Sequence, residues 1–210
     1  TVNGIPINDP ESHGVFWVNM PDFASTVENI QIQRGVGTST NGAAAFGASI
    51  NIQTLKLNRN AYAEINSSAG SFNTFKNSLT FGTGLIKGKW TLDGRLSKIS
   101  SDGYIDRATS DLKSFFVSAG YYGKNSILRF NVFSGKEKTY QAWYGIPKDS
   151  LKTNRTYNPY SYENETDNYQ QDHYQALYSN QISKNLNLNF ALHYTKGKGY
   201  YEQYKTKRKF

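Results

Sequence analysis

The sequence predicts an all-β wall, about seven antiparallel strands of a partial membrane β-barrel, behind a shorter segment of different texture. Three observations carry this. From about residue 60 onward, apolar and polar residues alternate with period two and helical periodicity is nowhere sustained. The alternating runs approach the roughly 9 to 11 residues that a tilted strand needs to cross a bilayer, whereas soluble strands average about five or six. Short and long connections then alternate between the runs, as they do when tight turns close one rim of a barrel and long loops the other.

The clearest run is 186–194. Leu186, Leu188, Phe190, Leu192 and Tyr194 fall on one face, and Asn187, Asn189, Ala191 and His193 on the other. Residues 88–98 set Trp90, Leu92 and Leu96 against Thr91, Asp93, Arg95 and Ser97, and 126–136 set Leu128, Phe130 and Val132 against Arg129 and Asn131. Less regular alternation over 61–70, 73–86, 111–122 and 173–183 completes the set. Short turns are expected at 84–88, 122–125 and 183–186, and longer polar connections at 100–111 and 137–172. Beyond 197 a further connection would begin. Tyr121, Tyr122, Tyr194 and Tyr200, near strand ends, suit the aromatic girdle of a membrane interface.

Composition agrees. Hydrophobic residues are only 37% of the 210, yet aromatics reach 15%, so the chain is polar but rich in amphipathic rings. No run of eighteen apolar residues exists, which excludes a membrane-spanning helix and leaves a spanning barrel open. Cysteine is absent, so disulfides and thiolate metal sites are not available. The net charge of +8 is concentrated in part in Lys205, Lys207, Arg208 and Lys209, a solvated terminal cluster. The chain opens at Thr1-Val2-Asn3-Gly4 as though in mid-strand and is expected to be a fragment.

Ahead of the alternating region, Val27-Glu28-Asn29-Ile30-Gln31-Ile32-Gln33-Arg34-Gly35 reads as a strand, Ile50-Asn51-Ile52-Gln53-Thr54 as another, and Gly35, Gly37, Gly42, Gly47 and Ala43, Ala44, Ala45, Ala48 lie between or beside them. Such residues let backbone turn and approach a surface closely. A phosphate cradle is excluded by spacing, since neither a Gly-Lys-Ser/Thr ending nor Gly-x-Gly-x-x-Gly is present. The stretch instead resembles the end of the plug domain of TonB-dependent outer-membrane receptors, whose pattern is roughly I-E-x-I-E-V-x-R-G-P-x-S-x-x-Y-G-x-x-A-x-G-G-x-I-N-I-x-T-K. Arg34, Gly35, Gly42, Gly47 and Asn51 fall on that motif. Val36 replaces its Pro, Asn41 its Tyr and Ala48 its second paired Gly. Val2-Asn3-Gly4-Ile5-Pro6-Ile7 resembles the plug's V-D-G-V-P-I strand, and Ser101-Asp102-Gly103-Tyr104-Ile105-Asp106-Arg107 the S-D-G-Y-R-D-N turn of the barrel.

The resemblance implies an architecture and a function. Residues 1–58 would be the C-terminal part of an α/β plug and 59–210 the first strands of a barrel of 22, with Gly35 to Gly47 squeezed between plug and wall. The protein would sit in a Gram-negative outer membrane and import a large scarce ligand, an iron siderophore, haem or similar chelate. The Arg34-Gly35-x-Gly37 variant is closer to the iron-chelate branch than to glycan importers. Implied partners are TonB, through a segment before residue 1, the extracellular ligand and outer-membrane lipids; an accessory surface lipoprotein is left open. A non-transporting adhesin or glycan-binding module is the alternative, and strands this long do not suit a single-stranded nucleic-acid binder.

No catalytic constellation or cofactor motif stands out. His13, His173 and His193 are far apart without ligand spacing, and no nucleophile elbow occurs, so neither enzyme activity nor a metal site is expected. Binding is expected at two places. In the loop from Asn8 to Asn19, His13, Phe16 and Trp17 are candidate ligand contacts. In the long aromatic connection the candidates are Tyr140, Trp143 and Tyr144, with Lys138, Lys148, Lys152 and Arg155 nearby for an anionic ligand.

Overall fold

A computed structural model describes residues 1–35, 47–54 and 58–205. Two sheets are present. Strands β1 (Val27–Arg34) and β2 (Ala48–Thr54) form an antiparallel pair, and Val2 adds a parallel bridge to Ile52, which makes the small sheet mixed. Among the described residues there is no α-helix, only single turns of 3-10 helix at Trp17–Asn19, Phe23–Thr26 and Ser150–Lys152.

The larger sheet is a seven-stranded antiparallel meander in sequence order: β3 (Tyr62–Gly70), β4 (Thr74–Gly82), β5 (Trp90–Ser101), β6 (Ser110–Tyr122), β7 (Ser126–Tyr140), β8 (Thr166–Ser183) and β9 (Leu186–Tyr201). Its curved wall is open, with β3 and β9 at the edges. The connections at one rim are 83–89, 123–125 and 184–185; those at the other are 71–73, 102–109 and 141–165.

The two faces have opposite chemistry. On β5 the odd residues Thr91, Asp93, Arg95 and Ser97 are buried, and the even residues Trp90, Leu92 and Leu96 stand exposed at 55%, 42% and 51%. Cross-strand register carries the same division through the sheet, so that Leu92, Ala119, Phe130, Ala176 and Leu192 form one outward row. Burial of polar groups and exposure of apolar ones is the reverse of a water-soluble sheet, whose apolar face packs inward.

Three expectations are corrected. Strand β7 ends later and strand β8 begins earlier than the alternation suggests, so the long connection is 141–165 rather than 137–172. Their outer segments are polar on both faces, which erases the period-two signal although the ladder continues. Residues 2–7 are not a strand. Asn3 (φ 54°) and Gly4 (φ 82°) are the centre of a tight turn in which Val2 and Ile5 exchange hydrogen bonds, the two positive φ values of a type I′ turn. Finally, Tyr122 lies on the inner face, where its hydroxyl accepts a bond from Arg129 Nη2 (2.9 Å), because only odd positions of β6 point outward. Tyr121, by contrast, is outward and packs on Trp90 with ring centroids 4.6 Å apart.

Candidate functional site

The small sheet and its preceding turns lie against the inner face of the wall. Phe116 of β6 and Phe133 of β7, both nearly fully buried, meet Val2, Met20, Phe23 and Ile52, with Phe23 and Phe133 at 5.3 Å between centroids. Each such side chain contributes about 1.5–3 kcal/mol when removed from water. The approach is close at Gly135 of β7. A Cβ there would come within 2.5 Å of Pro21 Cδ and 2.6 Å of the Asn19 carbonyl oxygen.

Polar contacts fix the register of this docking. Asp22, held in the left-handed region at φ 54°, is the hub. Its Oδ2 accepts from Arg95 Nη1 (3.0 Å) and Ser97 Oγ (2.5 Å), and its Oδ1 from Lys76 Nζ (2.5 Å) and Ser25 Oγ (2.6 Å). Arg95 also donates from Nε to Thr26 Oγ1 (2.7 Å) and from Nη2 to Ser114 Oγ (3.2 Å), so a side chain only 2% exposed is fully engaged. Burial pushes the Asp22 carboxyl up, yet the bonds from Lys76, Ser25 and Ser97 and the charge of Arg95 outweigh it and hold the group below its ordinary value. A second tie joins Asn3 Nδ2 to Gln175 Oε1 (3.1 Å), which also accepts from Asn131 Nδ2 (3.2 Å).

Four of the five residues expected of the plug motif are among the described ones. Gly35 adopts φ 82° and donates its N–H to the Gly47 carbonyl (2.9 Å), closing the end of the β1–β2 pair. No described atom lies within 4 Å of where a Cβ would stand on either glycine. Gly35 answers to its left-handed conformation, and among the described residues a tight approach to the wall is found at Gly135. Arg34 is exposed, Asn51 accepts a bond from Thr1 Oγ1 (2.9 Å), and Gly42 lies outside the described residues.

Between the loop from Pro6 to Met20 and the inner faces of β7, β8 and β9 is a cavity of ≈ 880 Å³. The loop side is shaped by Asp9, whose Oδ1 accepts from the N–H groups of Glu11 (3.0 Å) and Ser12 (2.8 Å) and from Ser12 Oγ (3.1 Å). Those bonds lower the Asp9 pKa from the usual carboxylate value, the Ser12 backbone bond most. The wall side presents Glu137, Asp167, Tyr169, Gln171, His173 and His193. Glu137 and His173 are buried, and among the described residues Glu137 Oε2 and His173 Nε2 have no hydrogen-bond partner. His173 is positioned by stacking on Phe133 (4.5 Å) and by Thr195 Oγ1 at 3.2 Å from Nδ1. The cavity is therefore a hydrogen-bonding surface with unused donors and acceptors. Among the described residues no three His, Asp or Glu side chains converge on a metal position.

Of the sequence candidates, Phe16 lines this cavity, whereas His13 and Trp17 do not. His13 is exposed at the loop tip with φ 55°, and Trp17 is 47% exposed. Trp143 and Tyr144 are exposed on the 141–165 connection, packed on Tyr160 with centroids 6.3 and 5.4 Å away. Tyr140 is buried instead, its hydroxyl donated to the Tyr162 carbonyl (2.7 Å). Lys138 faces outward, since Glu137 beside it faces in, and so stands apart from the cavity. The long connection is buckled to its neighbour by Arg107, which donates to the carbonyls of Asn158 (3.0 Å) and Tyr160 (2.7 Å). Sequence reasoning missed Glu137, Asp167, Tyr169 and Gln171 because the alternation there is masked. His193 shows the usable signal, an imidazole on the polar face of a clean strand.

No protein-family model matches the chain, and no curated protein matches it in sequence. Solved structures do match. The ferric citrate transporter FecA in its unliganded form aligns with TM-score 0.77 and 16% identity over 97% of this chain and 32% of its own. The siderophore receptor PiuA from Acinetobacter baumannii aligns with TM-score 0.73 and 13% identity over 83% of this chain and 26% of its own. The ferric-catecholate import receptor Fiu from E. coli K12, in its open form, gives 0.70 and 14% over 83% and 29%. The chain thus has the fold of part of a siderophore-receptor barrel, antiparallel and unclosed among its described strands, and spans about a third or less of each of these structures.

Proposed function

We propose that this chain is the plug-and-wall portion of an outer-membrane importer, energised through TonB, that takes up an iron chelate. The observation that carries the reading is the small mixed sheet docked on the polar inner face of a wall whose apolar residues point outward. An adhesin has no need of a second sheet latched inside its wall. No covalent chemistry is involved. Ligand binds from the rim of long connections, and work done on the plug breaks the Asp22 latch and opens a path.

The described wall of the cavity carries the carboxyls of Asp9, Glu137 and Asp167 together with imidazole, amide and phenol groups, and no Lys or Arg. The ligand surface that meets it is accordingly rich in hydroxyl or amide groups. Any anionic surface of the chelate meets Lys148, Lys152 and Arg155, exposed on the same 141–165 connection that carries Trp143 and Tyr144. The test is uptake of radiolabelled ferric chelates by cells carrying the complete gene, with and without functional TonB. TonB-dependent accumulation of one chelate supports the reading; accumulation indifferent to TonB, or none across hydroxamate, catecholate, citrate and haem panels, ends it.

A further inference from the structure

The outer face carries a feature that import does not use. Lys98 of β5 is directly opposite Lys113 of β6, which is directly opposite Lys136 of β7. The same outward row continues through Gln170 to Lys198. Like charges directly opposite one another on adjacent strands are destabilising. Here three stand side by side, and among the described residues neither Lys98 nor Lys136 forms an ion pair, while Lys113 has only an exposed contact with Asp111 at 3.6 Å.

The row is also the border of the apolar band. Toward the short-turn rim, the next outward positions on β4, β5 and β6 are Leu79, Leu96 and Phe115. With Ile65 these form the floor of an open groove of ≈ 600 Å³, and Lys98, Lys113 and Lys136 are its rim. Ile65 is 76% exposed and the groove faces away from the plug. Apolar floor below and a row of ammonium groups with a single exposed carboxylate contact above match a molecule with an acyl chain at one end and phosphate at the other. An isolated phosphate would use the lysines alone and leave the floor bare.

We infer that this groove binds an anionic lipid of the surrounding leaflet, its phosphorylated head on Lys98, Lys113 and Lys136 and an acyl chain over Leu96 and Phe115. The inference rests on the wall lying in a membrane. Each lysine at a charged lipid surface contributes about five-fold to affinity, so neutralising three weakens binding by about a hundred-fold.

The experiment titrates the full-length protein, in a neutral detergent, with diphosphorylated lipid A, its dephosphorylated counterpart and inorganic phosphate, and counts bound lipid by native mass spectrometry. Retention of the phosphorylated lipid, lost in K98Q/K113Q/K136Q and restored in K98R/K113R/K136R, is the expected result. Equal binding of the dephosphorylated lipid, unchanged binding by the Gln variant, or displacement of the lipid by inorganic phosphate at equal concentration overturns it. Heat-modifiable gel migration of every variant separates the two premises. A folded barrel that ignores the lipid refutes this site alone, whereas a protein with no heat-modifiable form refutes the membrane wall and the site with it.

Discussion

The inner and outer faces of the same strands are built on opposite rules. Inside, polar groups are buried, and where the small sheet docks they are held by specific partners, as Asp22 is by Arg95, Ser97, Lys76 and Ser25. Outside, large apolar side chains are left uncovered by protein, as Leu188, Phe190 and Leu192 are at 46–57% exposure. A mutation of the same chemical kind should therefore have opposite consequences at adjacent residues. Specific geometry governs the inner face, and solvent preference governs the outer.

The largest expected effect breaks the inner face. Asp22→Ala leaves Arg95 buried without its carboxylate and should cost about 3–5 kcal/mol of plug docking. Urea-induced release, followed by protease susceptibility of the plug segment, measures it, and Asp22→Ala with Arg95→Met should recover most of the loss. Acid should act in the same way. Because the folded Asp22 pKa is lowered, its contribution is present above the ordinary carboxylate pKa of about 4 and is lost as pH falls through the lower folded value. Plug protection that is unchanged down that range would show that the latch carries no load.

On the outer face, Leu188→Arg, Phe190→Arg or Leu192→Arg should impair assembly by about 2–4 kcal/mol, whereas Asn189→Arg, one position away and inward, should be tolerated. Heat-modifiable migration reports both, and equal sensitivity would erase the distinction between the faces. Smaller still is Gly135→Ala. Its Cβ meets Pro21 and the Asn19 carbonyl, so about 1–3 kcal/mol of overpacking should loosen the plug while barrel assembly stays normal. Trp143→Ala touches neither face. It should weaken chelate uptake about ten-fold at unchanged barrel abundance, the usual size for an exposed aromatic anchor; unaltered uptake removes the 141–165 connection from the site.

The faces of the wall were legible in the sequence because opposite chemistry on the two sides of one strand imposes strict alternation, and Leu186 to Tyr194 shows it without interruption. The rims were not. Lys136-Glu137-Lys138-Thr139 is polar at every position, so nothing in its pattern says that the ladder continues to Tyr140 or that Glu137 points inward while both lysines point out. The docking was half legible. The Arg34-Gly35 to Asn51 stretch marked the small sheet, but Asp22 and Arg95 are 73 residues apart and nothing local pairs them. The cavity was least legible, since only Phe16 among the candidates lines it and its other walls come from strands whose polar residues look alike in one dimension.

Arg107 grips the long connection by the carbonyl oxygens of Asn158 and Tyr160, groups that every amino acid supplies. The buckle is therefore indifferent to which side chains the surface of that segment displays. Such a strap leaves the side chains displayed by that segment free to change while its anchorage to the rim stays the same.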